Sequence, residues 1–218
     1  MKLYSGPLSL FTAKVRIALA EKGLAYERVE VDWNSRDRYL PHHLEVAALN
    51  PKGQVPVLVD GDVVVCDSTL ILIHLEEAHA GTPLLPEGAA GRARARQFEA
   101  WADEIVFPAV WGVIEETFYP AAPEGRDAAR LEAAQARLAQ HHATLEKELA
   151  GRTWLCDGAF SIADIGVMVF LGAAASMGVP PSQEHVHLAA WMQRCGERAS
   201  IQDEFAEMAA FSQAALAG

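Results

Sequence analysis

Two short stretches combine residue types suited to holding a small peptide-like ligand. Asp67-Ser68 stands where an apolar, strand-like run meets a helix-like one. A carboxylate there can hold an ammonium group, while the serine hydroxyl and the unpaired amides of a first helical turn can hold a carboxylate. A free α-amino acid end carries both groups. The pair also has the composition of an ordinary helix cap, which is its commoner use when it stands alone. Eleven residues earlier, Pro56 lies at the mouth of a hairpin in the stretch Leu49-Asn50-Pro51-Lys52-Gly53-Gln54-Val55-Pro56-Val57-Leu58. A proline inside a paired strand loses a ladder hydrogen bond, so Pro56 belongs at a strand start, an edge or a cis turn. With a cis bond, Val55 can present its amide and carbonyl to an extended peptide, as in strand addition. A simple turn proline fits the pattern equally well.

Other reactive residues carry less. His42-His43, His141-His142 and His185-Val186-His187 lack carboxylate or Cys partners at the spacing of a tetrahedral zinc site, so no metal is expected. Cys66, Cys156 and Cys195 are odd in number and widely spaced, which suits reduced thiols better than a disulfide framework. Eighteen basic residues against 29 acidic ones leave a net charge of -11, without the basic footprint that a phosphate backbone requires, so nucleic acid is not an expected partner. The first residues lack the apolar stretch of a signal peptide. The run Ile165 to Pro181 is broken by Gly166, Gly172, Ser176 and Gly178 and is shorter than the ~20 residues of a membrane span. The expectation is a cytoplasmic protein that does not enter membranes.

The elements that must position the two stretches can be traced by periodicity. Lys2 to Ser5 reads as a strand, and Phe11, Val15, Ala18 and Leu19 form a helical stripe that Gly23 stops. Tyr26 to Val31 alternates polar and apolar residues, the pattern of a second strand. Asp32 to Leu49 is polar and only partly helical in pattern. Val57-Leu58-Val59 and Val63-Val64-Val65 flank Asp60-Gly61, a hairpin-turn dipeptide, and Asp67 or Ser68 can cap a helix reaching about His79. The order β-α-β-α-β-β-α is then interrupted by Gly81-Thr82-Pro83 and Pro86-Glu87-Gly88.

Beyond that interruption the pattern is helical throughout. Phe98, Trp101 and Ile105 share a face, and Leu131, Leu138 and Leu145 repeat every seventh residue, with Ala134 and Leu149 filling the stripe. Pro108 should kink or end its helix and Pro120 should close the next. In Phe160-Ser161-Ile162-Ala163-Asp164-Ile165, Ser161 can cap the helix, Asp164 can reach back to the Ser161 amide, and Phe160 can staple onto Ile165. This box is a structural device with no chemistry assigned to it.

Taken together, the βαβ-α-ββα unit, the proline before its hairpin and the acidic-Ser pair after it resemble the N-terminal domain of cytosolic glutathione transferases, of a Ser-using or bacterial-type branch. The helical second half with its FSIAD box resembles the C-terminal domain of the same family, so the likeness covers essentially the whole chain. It implies a thioredoxin-like α/β domain over residues 1–80, a linker over 81–88 and an all-helical bundle over 89–218. It also implies that glutathione is the co-substrate. Val55, following the cis Pro56 pattern, would pair with the cysteinyl part, Asp67 and Ser68 would hold the γ-glutamyl end, and Lys52 and Gln54 would lie near the glycyl end. An acidic protein that takes an anionic tripeptide needs local positive potential, and Lys52 and helix N-termini can supply it.

The thiol-activating group is then expected between the first strand and first helix, in Tyr4 to Thr12. Ser9 matches the serine of Ser-using classes and can equally cap the helix. Ser5 lies closer to the position of the tyrosine in Tyr-using classes, Thr12 is a further alternative, and Tyr4 is a weaker candidate within the strand. The stretch has no Cys, which disfavours mixed-disulfide chemistry, and the serine-rich loop with a following Cys of the isomerase branch is absent. Phe107 and Trp111, with Phe118 and Tyr119, can line a pocket for an apolar second substrate or simply pack the core. The resemblance implies a homodimeric transferase that lets the glutathione thiolate attack an electrophilic, largely apolar second substrate, with Asp103 reaching the ligand's ammonium group across the dimer interface. Dehalogenation, ether cleavage, peroxide reduction, isomerisation and a non-catalytic glutathione-binding or partner-docking module are the alternatives.

Overall fold

The computed structural model describes residues 1–40, 42–119, 125–156 and 158–217. They form two compact units, Met1–Pro83 together with Ala199–Gly218, and Leu84–Arg198.

The first unit is built on a four-stranded sheet ordered β2-β1-β3-β4, from β1 (Lys2–Ser5), β2 (Glu27–Glu30), β3 (Val57–Asp60) and β4 (Val63–Cys66). The α1 helix (Leu10–Glu21) makes the crossover that lets β2 run parallel to β1, whereas β3 is antiparallel to both β1 and β4. The polar segment before the hairpin is helical only over α2 (Leu44–Leu49). Helix α3 (Ser68–Ala78) follows β4, with Asp67 as its N-cap. Asp60 pairs with Val63, so Gly61 and Asp62 form the turn itself, one residue later than the Asp60-Gly61 dipeptide suggests. Gly61 supplies the positive φ, +60°, that such a turn requires.

The expected division placed all of residues 89–218 in one helical domain, but the last helix, α9 (Ala199–Ala217), belongs to the first unit. A buried charge cluster explains why. Arg16 on α1 donates from Nε to Glu204 at 2.8 Å and from Nη1 to Ser5 Oγ at 2.8 Å, and its Nη2 forms a further close contact with the Glu204 carboxylate. The Arg16 and Glu204 side chains are 4% and 5% exposed. Arg28 on β2 pairs with Glu207, one turn further along α9, and the Trp33 and Phe211 rings meet edge to face at 5.7 Å.

The second unit is helical. It comprises α4 (Gly88–Trp101), α5 (Phe107–Thr117), α6 (Ala128–Leu149), α7 (Ile162–Ser176) and α8 (Val186–Gly196). Pro108 neither ends the chain of helices nor stands in an α-helical interior. A π-helical segment, Ala102–Val106, joins α4 to α5 and places Pro108 in the first turn of α5, where its missing amide is tolerated. Pro120 lies outside the described residues. The capping box forms at the start of α7, and Asp164 does more than cap. Its carboxylate accepts from Ser161 N (3.0 Å), Leu155 N (3.0 Å) and Trp191 Nε1 (2.8 Å), joining the preceding loop, α7 and α8 at a fully buried point. No helix among the described residues is long and apolar enough to cross a membrane.

The Arg16–Glu204 cluster yields a stability prediction. Glu204→Ala leaves a buried guanidinium without its main counter-charge and should destabilise the protein by about 3–5 kcal/mol in denaturant unfolding. A loss below about 1 kcal/mol would mean that the pair does not hold α9 in place.

Candidate functional site

The register of β3 creates the site. Val57 at its start is paired with Tyr4 near the end of β1 and with Cys66 at the end of β4. Because β3 runs against both neighbours, the loop leaving β1, the segment entering β3 and the segment leaving β4 all lie at one end of the sheet. Residues far apart in the chain, Ser5–Ser9, Asn50–Pro56 and Asp67-Ser68, are thereby gathered at one sheet end.

In the first of these segments Ser9 is the N-cap of α1, and its Oγ accepts from Thr12 N at 3.2 Å. A hydroxyl has one proton and two lone pairs, so capping uses a lone pair and leaves the O–H able to donate. Ser9 is partly exposed, whereas Ser5 and Thr12 are both 0% exposed. Ser5 Oγ is occupied by Arg16, and Thr12 Oγ1 accepts from Gly6 N at 3.4 Å. The Tyr4 hydroxyl donates to the Glu45 carboxylate in a short contact; that bond, with burial, pushes its pKa up to about 12 and keeps the phenol protonated at neutral pH. Tyr39, which carries no signal in the sequence, closes over this loop. Its hydroxyl accepts from Leu8 N at 3.3 Å, and a Cβ on Gly6 would lie 2.7 Å from the same oxygen, so any larger residue there would have to displace the Tyr39 ring.

The second segment is shaped by Asn50, buried to 4% exposure. Asn50 Oδ1 accepts from Lys52 N at 3.0 Å and its Nδ2 donates to Gln54 O at 2.7 Å, a side-chain-braced turn that presents the Lys52 and Gln54 side chains outward. Sequence reasoning passed over Asn50, although an Asn-Pro dipeptide is a turn signal. The Val55–Pro56 peptide bond is cis, and Val55 packs against the core cluster of Tyr4, Val31, Val46 and Val57.

The third segment joins a cap to backbone in an uncommon conformation. Asp67 has φ +79° and ψ 127°, the left-handed region that a non-glycine residue seldom enters, and its Oδ1 accepts from Thr69 N at 3.1 Å. Asp67 Oδ2 lies 3.9 Å from Lys52 Nζ, with the two side chains 46% and 69% exposed. Ser68 is 3% exposed, and its Oγ is buried without a hydrogen-bond partner among the described residues. A buried hydroxyl in that state carries an unmet desolvation cost. Burial pushes the neighbouring Cys66 thiol up, so it is held as the neutral form.

The aromatic residues considered for a second substrate lie in the other unit. The Phe107 and Trp111 rings are 5.8 Å apart, Phe107 meets buried Phe170 at 5.2 Å, and Trp111 meets Tyr119 at 5.7 Å, a cluster with the spacing of core packing. Asp103 is part of the π-helical segment.

The paired histidines singled out in the sequence do not assemble a group of metal-binding donors among the described residues. His142 is instead pushed down to about 4, chiefly by burial, and is neutral at physiological pH. The donors that do converge are Asp60, His74 and His79, in the first unit. The sequence reading passed over them because they come from a strand end, a helix interior and a helix terminus.

Residues 3–83 match the family model "Glutathione S-transferase, N-terminal domain", and residues 101–199 match "Glutathione S-transferase, C-terminal domain". Glutathione S-transferase 3 of Zea mays is 32% identical over 215 residues, covering 93% of this chain and 91% of that protein. FtsZ-localized protein A of Caulobacter vibrioides is 30% identical over 206 residues, covering 90% and 86%. Higher identities, 40–46%, are confined to stretches of 39–44% of this chain that span only 37–43% of the relatives concerned. Among solved structures, a glutathione S-transferase from Methylobacillus flagellatus KT with GSH bound superposes with a TM-score of 0.77 at 27% identity, covering 93% of this chain and 98% of that one. The sheet with its helices, the helical second unit and matches along both halves agree: the chain belongs to the glutathione S-transferase family.

Proposed function

We propose that this protein is a catalytic glutathione transferase that binds glutathione at the sheet end described above. The observation that carries the reading is Ser68 Oγ, buried and unpartnered beside an Asp67 held at positive φ, because a ligand carboxylate accepting from that hydroxyl would offset its desolvation. In this reading Asp67 and Ser68 hold the α-amino acid end of the γ-glutamyl group, Val55 pairs with the cysteinyl backbone, and Lys52 and Gln54 face the glycyl carboxylate. The nearby Lys52 neutralises Asp67 in the free protein and turns to the ligand's anionic end. The GSH-bound relative supports the ligand, and the exposure of Ser9 relative to Ser5 and Thr12 favours Ser9 as the thiolate donor. The second substrate is an electrophile with an apolar body, for which Phe107 and Trp111 are the proposed contacts. Carbon–halogen, ether and peroxide substrates use the same thiolate and are separated by a substrate screen.

A non-catalytic docking module is the second reading. It is favoured by the match to FtsZ-localized protein A along 90% of this chain. Glutathione titration with no measurable heat, together with no turnover of aryl halides, epoxides, hydroperoxides or enones, would establish it over the first.

The Ser68 geometry makes an unusual pairing of effects testable. Ser68→Ala should leave stability unchanged or slightly raised while weakening glutathione binding by about 0.5–1.5 kcal/mol in calorimetry. Asp67→Asn keeps the cap and tolerates positive φ but removes the charge. It should weaken binding by about 1–2 kcal/mol, a range reduced because the carboxylate is half-exposed in the free protein. Wild-type affinity in both variants would place the ligand elsewhere.

Ser9 has two roles to separate. Ser9→Gly removes the hydroxyl but costs the cap only a few tenths of a kcal/mol. A hydrogen bond to a charged sulfur contributes about 1.5–3 kcal/mol, equivalent to about one to two pKa units. Ser9→Gly should therefore raise the bound-thiol pKa by about that much and lower turnover about tenfold or more, with little change in melting temperature. Thiolate absorbance that titrates as in wild type would exclude Ser9.

The protein is further proposed to be a homodimer, with Asp103 reaching the partner's ligand, and to serve in detoxification in the cytoplasm. Sedimentation at micromolar concentration should give about twice the 23.6 kDa chain mass, and a monomer would exclude the shared site.

A further inference from the structure

At the opposite end of β3 from the glutathione site, three donor side chains converge on one point. Asp60 ends the strand, His74 lies within α3, and His79 is the C-cap of that helix, where an extended conformation (φ −123°, ψ 128°) redirects the chain. His74 Nε2 and His79 Nε2 approach the same Asp60 oxygen, Oδ2, at 2.9 and 2.6 Å. The rings stand nearly perpendicular, at 79°, with centroids 6.0 Å apart. One ligand atom from each residue lies within 4.8 Å of the other two.

We propose that Asp60, His74 and His79 form a binding site for a divalent transition-metal ion, of the zinc or cobalt type. Two imidazole nitrogens and one carboxylate oxygen are the donors such ions select, while magnesium and calcium prefer all-oxygen sets. Ligands about 2.1 Å from a tetrahedral ion lie about 3.4 Å apart, so the Nε2–Oδ2 pairs, at 2.9 and 2.6 Å, open by about 0.5 and 0.8 Å. The side chains are 20–25% exposed, leaving an approach from solvent and room for water at the fourth position. The partial negative charge at the α3 C-terminus favours a cation at this end of the helix. Bound metal would tie α3 to the β3–β4 hairpin. The site is structural in this reading and independent of glutathione.

Metal-free protein titrated with Co2+ should develop the visible absorption of a tetrahedral nitrogen–oxygen site and bind one ion per chain, and Zn2+ should bleach that signal and raise the melting temperature. His74→Ala, His79→Ala and Asp60→Asn should each weaken binding about tenfold or more. The double variant His74→Gln/His79→Gln retains hydrogen-bonding side chains and should fold while losing the spectrum. Absence of a stoichiometric Co2+ spectrum in wild type, or wild-type binding in the double variant, would overturn the proposal and leave the histidines as hydrogen-bond partners of Asp60 alone.

Discussion

Strand β3 lies between β1 and β4 with Val57 opposite Tyr4 on one side and Cys66 on the other, and each group proposed to touch glutathione takes its position from that register. A shift of one residue would exchange the faces of the strand, moving Val57 and Leu58 out of alignment with the core and separating Val55 from the helix start at Asp67. Leu3, Val57 and Leu58 are all fully buried, Val57 and Leu58 on opposite faces of the strand. A short strand buried on both faces thus supports the geometry of a polar site. The same strand carries Asp60 at its other end, so the candidate metal cluster and the candidate ligand site share one support while remaining spatially separate.

Buried charge is used in two different ways to hold the rest of the molecule together. Asp164 is satisfied mostly by dipoles, the amides of Ser161 and Leu155 and the indole of Trp191, at the centre of the second unit. Burial raises its pKa and those hydrogen bonds oppose the rise. Arg16 is satisfied by an opposite charge, Glu204, brought from almost the other end of the chain. Replacing a buried ion pair such as Arg16–Glu204 by well-packed apolar residues is often neutral, whereas leaving one partner unpaired is expensive.

The candidate ligand site departs from such full satisfaction. Ser68 Oγ is left without a partner, Asp67 holds positive φ, and the Lys52–Asp67 pair is long and exposed. The unpartnered hydroxyl and the positive φ cost stability in the free protein, and the proposed ligand would supply the hydroxyl's missing partner. The loop around Ser9 differs in that its hydroxyl already serves the helix. Its availability to a thiolate depends on the unused proton of the same oxygen.

The sequence by itself determined what rests on local periodicity and local chemistry. The strand–helix–strand order, the hairpin, the cap at Asp67, the box at Ser161–Asp164 and the family likeness were legible because neighbouring residues decide them. It identified Asp67-Ser68 and the Val55-Pro56 pair as a ligand candidate for the same reason. Only the tertiary structure decided which of the hydroxyls at Ser5, Ser9 and Thr12 remains accessible, since burial depends on what packs above each of them. It also revealed Asn50 bracing one loop, Tyr39 closing another, α9 joined to the first unit through Glu204, and the convergence of Asp60 with His74 and His79. Asn50 acts locally, on Lys52 and Gln54, but the others are contacts between segments whose separation along the chain bears no relation to 3.6 or 2 residues, so no period in the sequence could announce them.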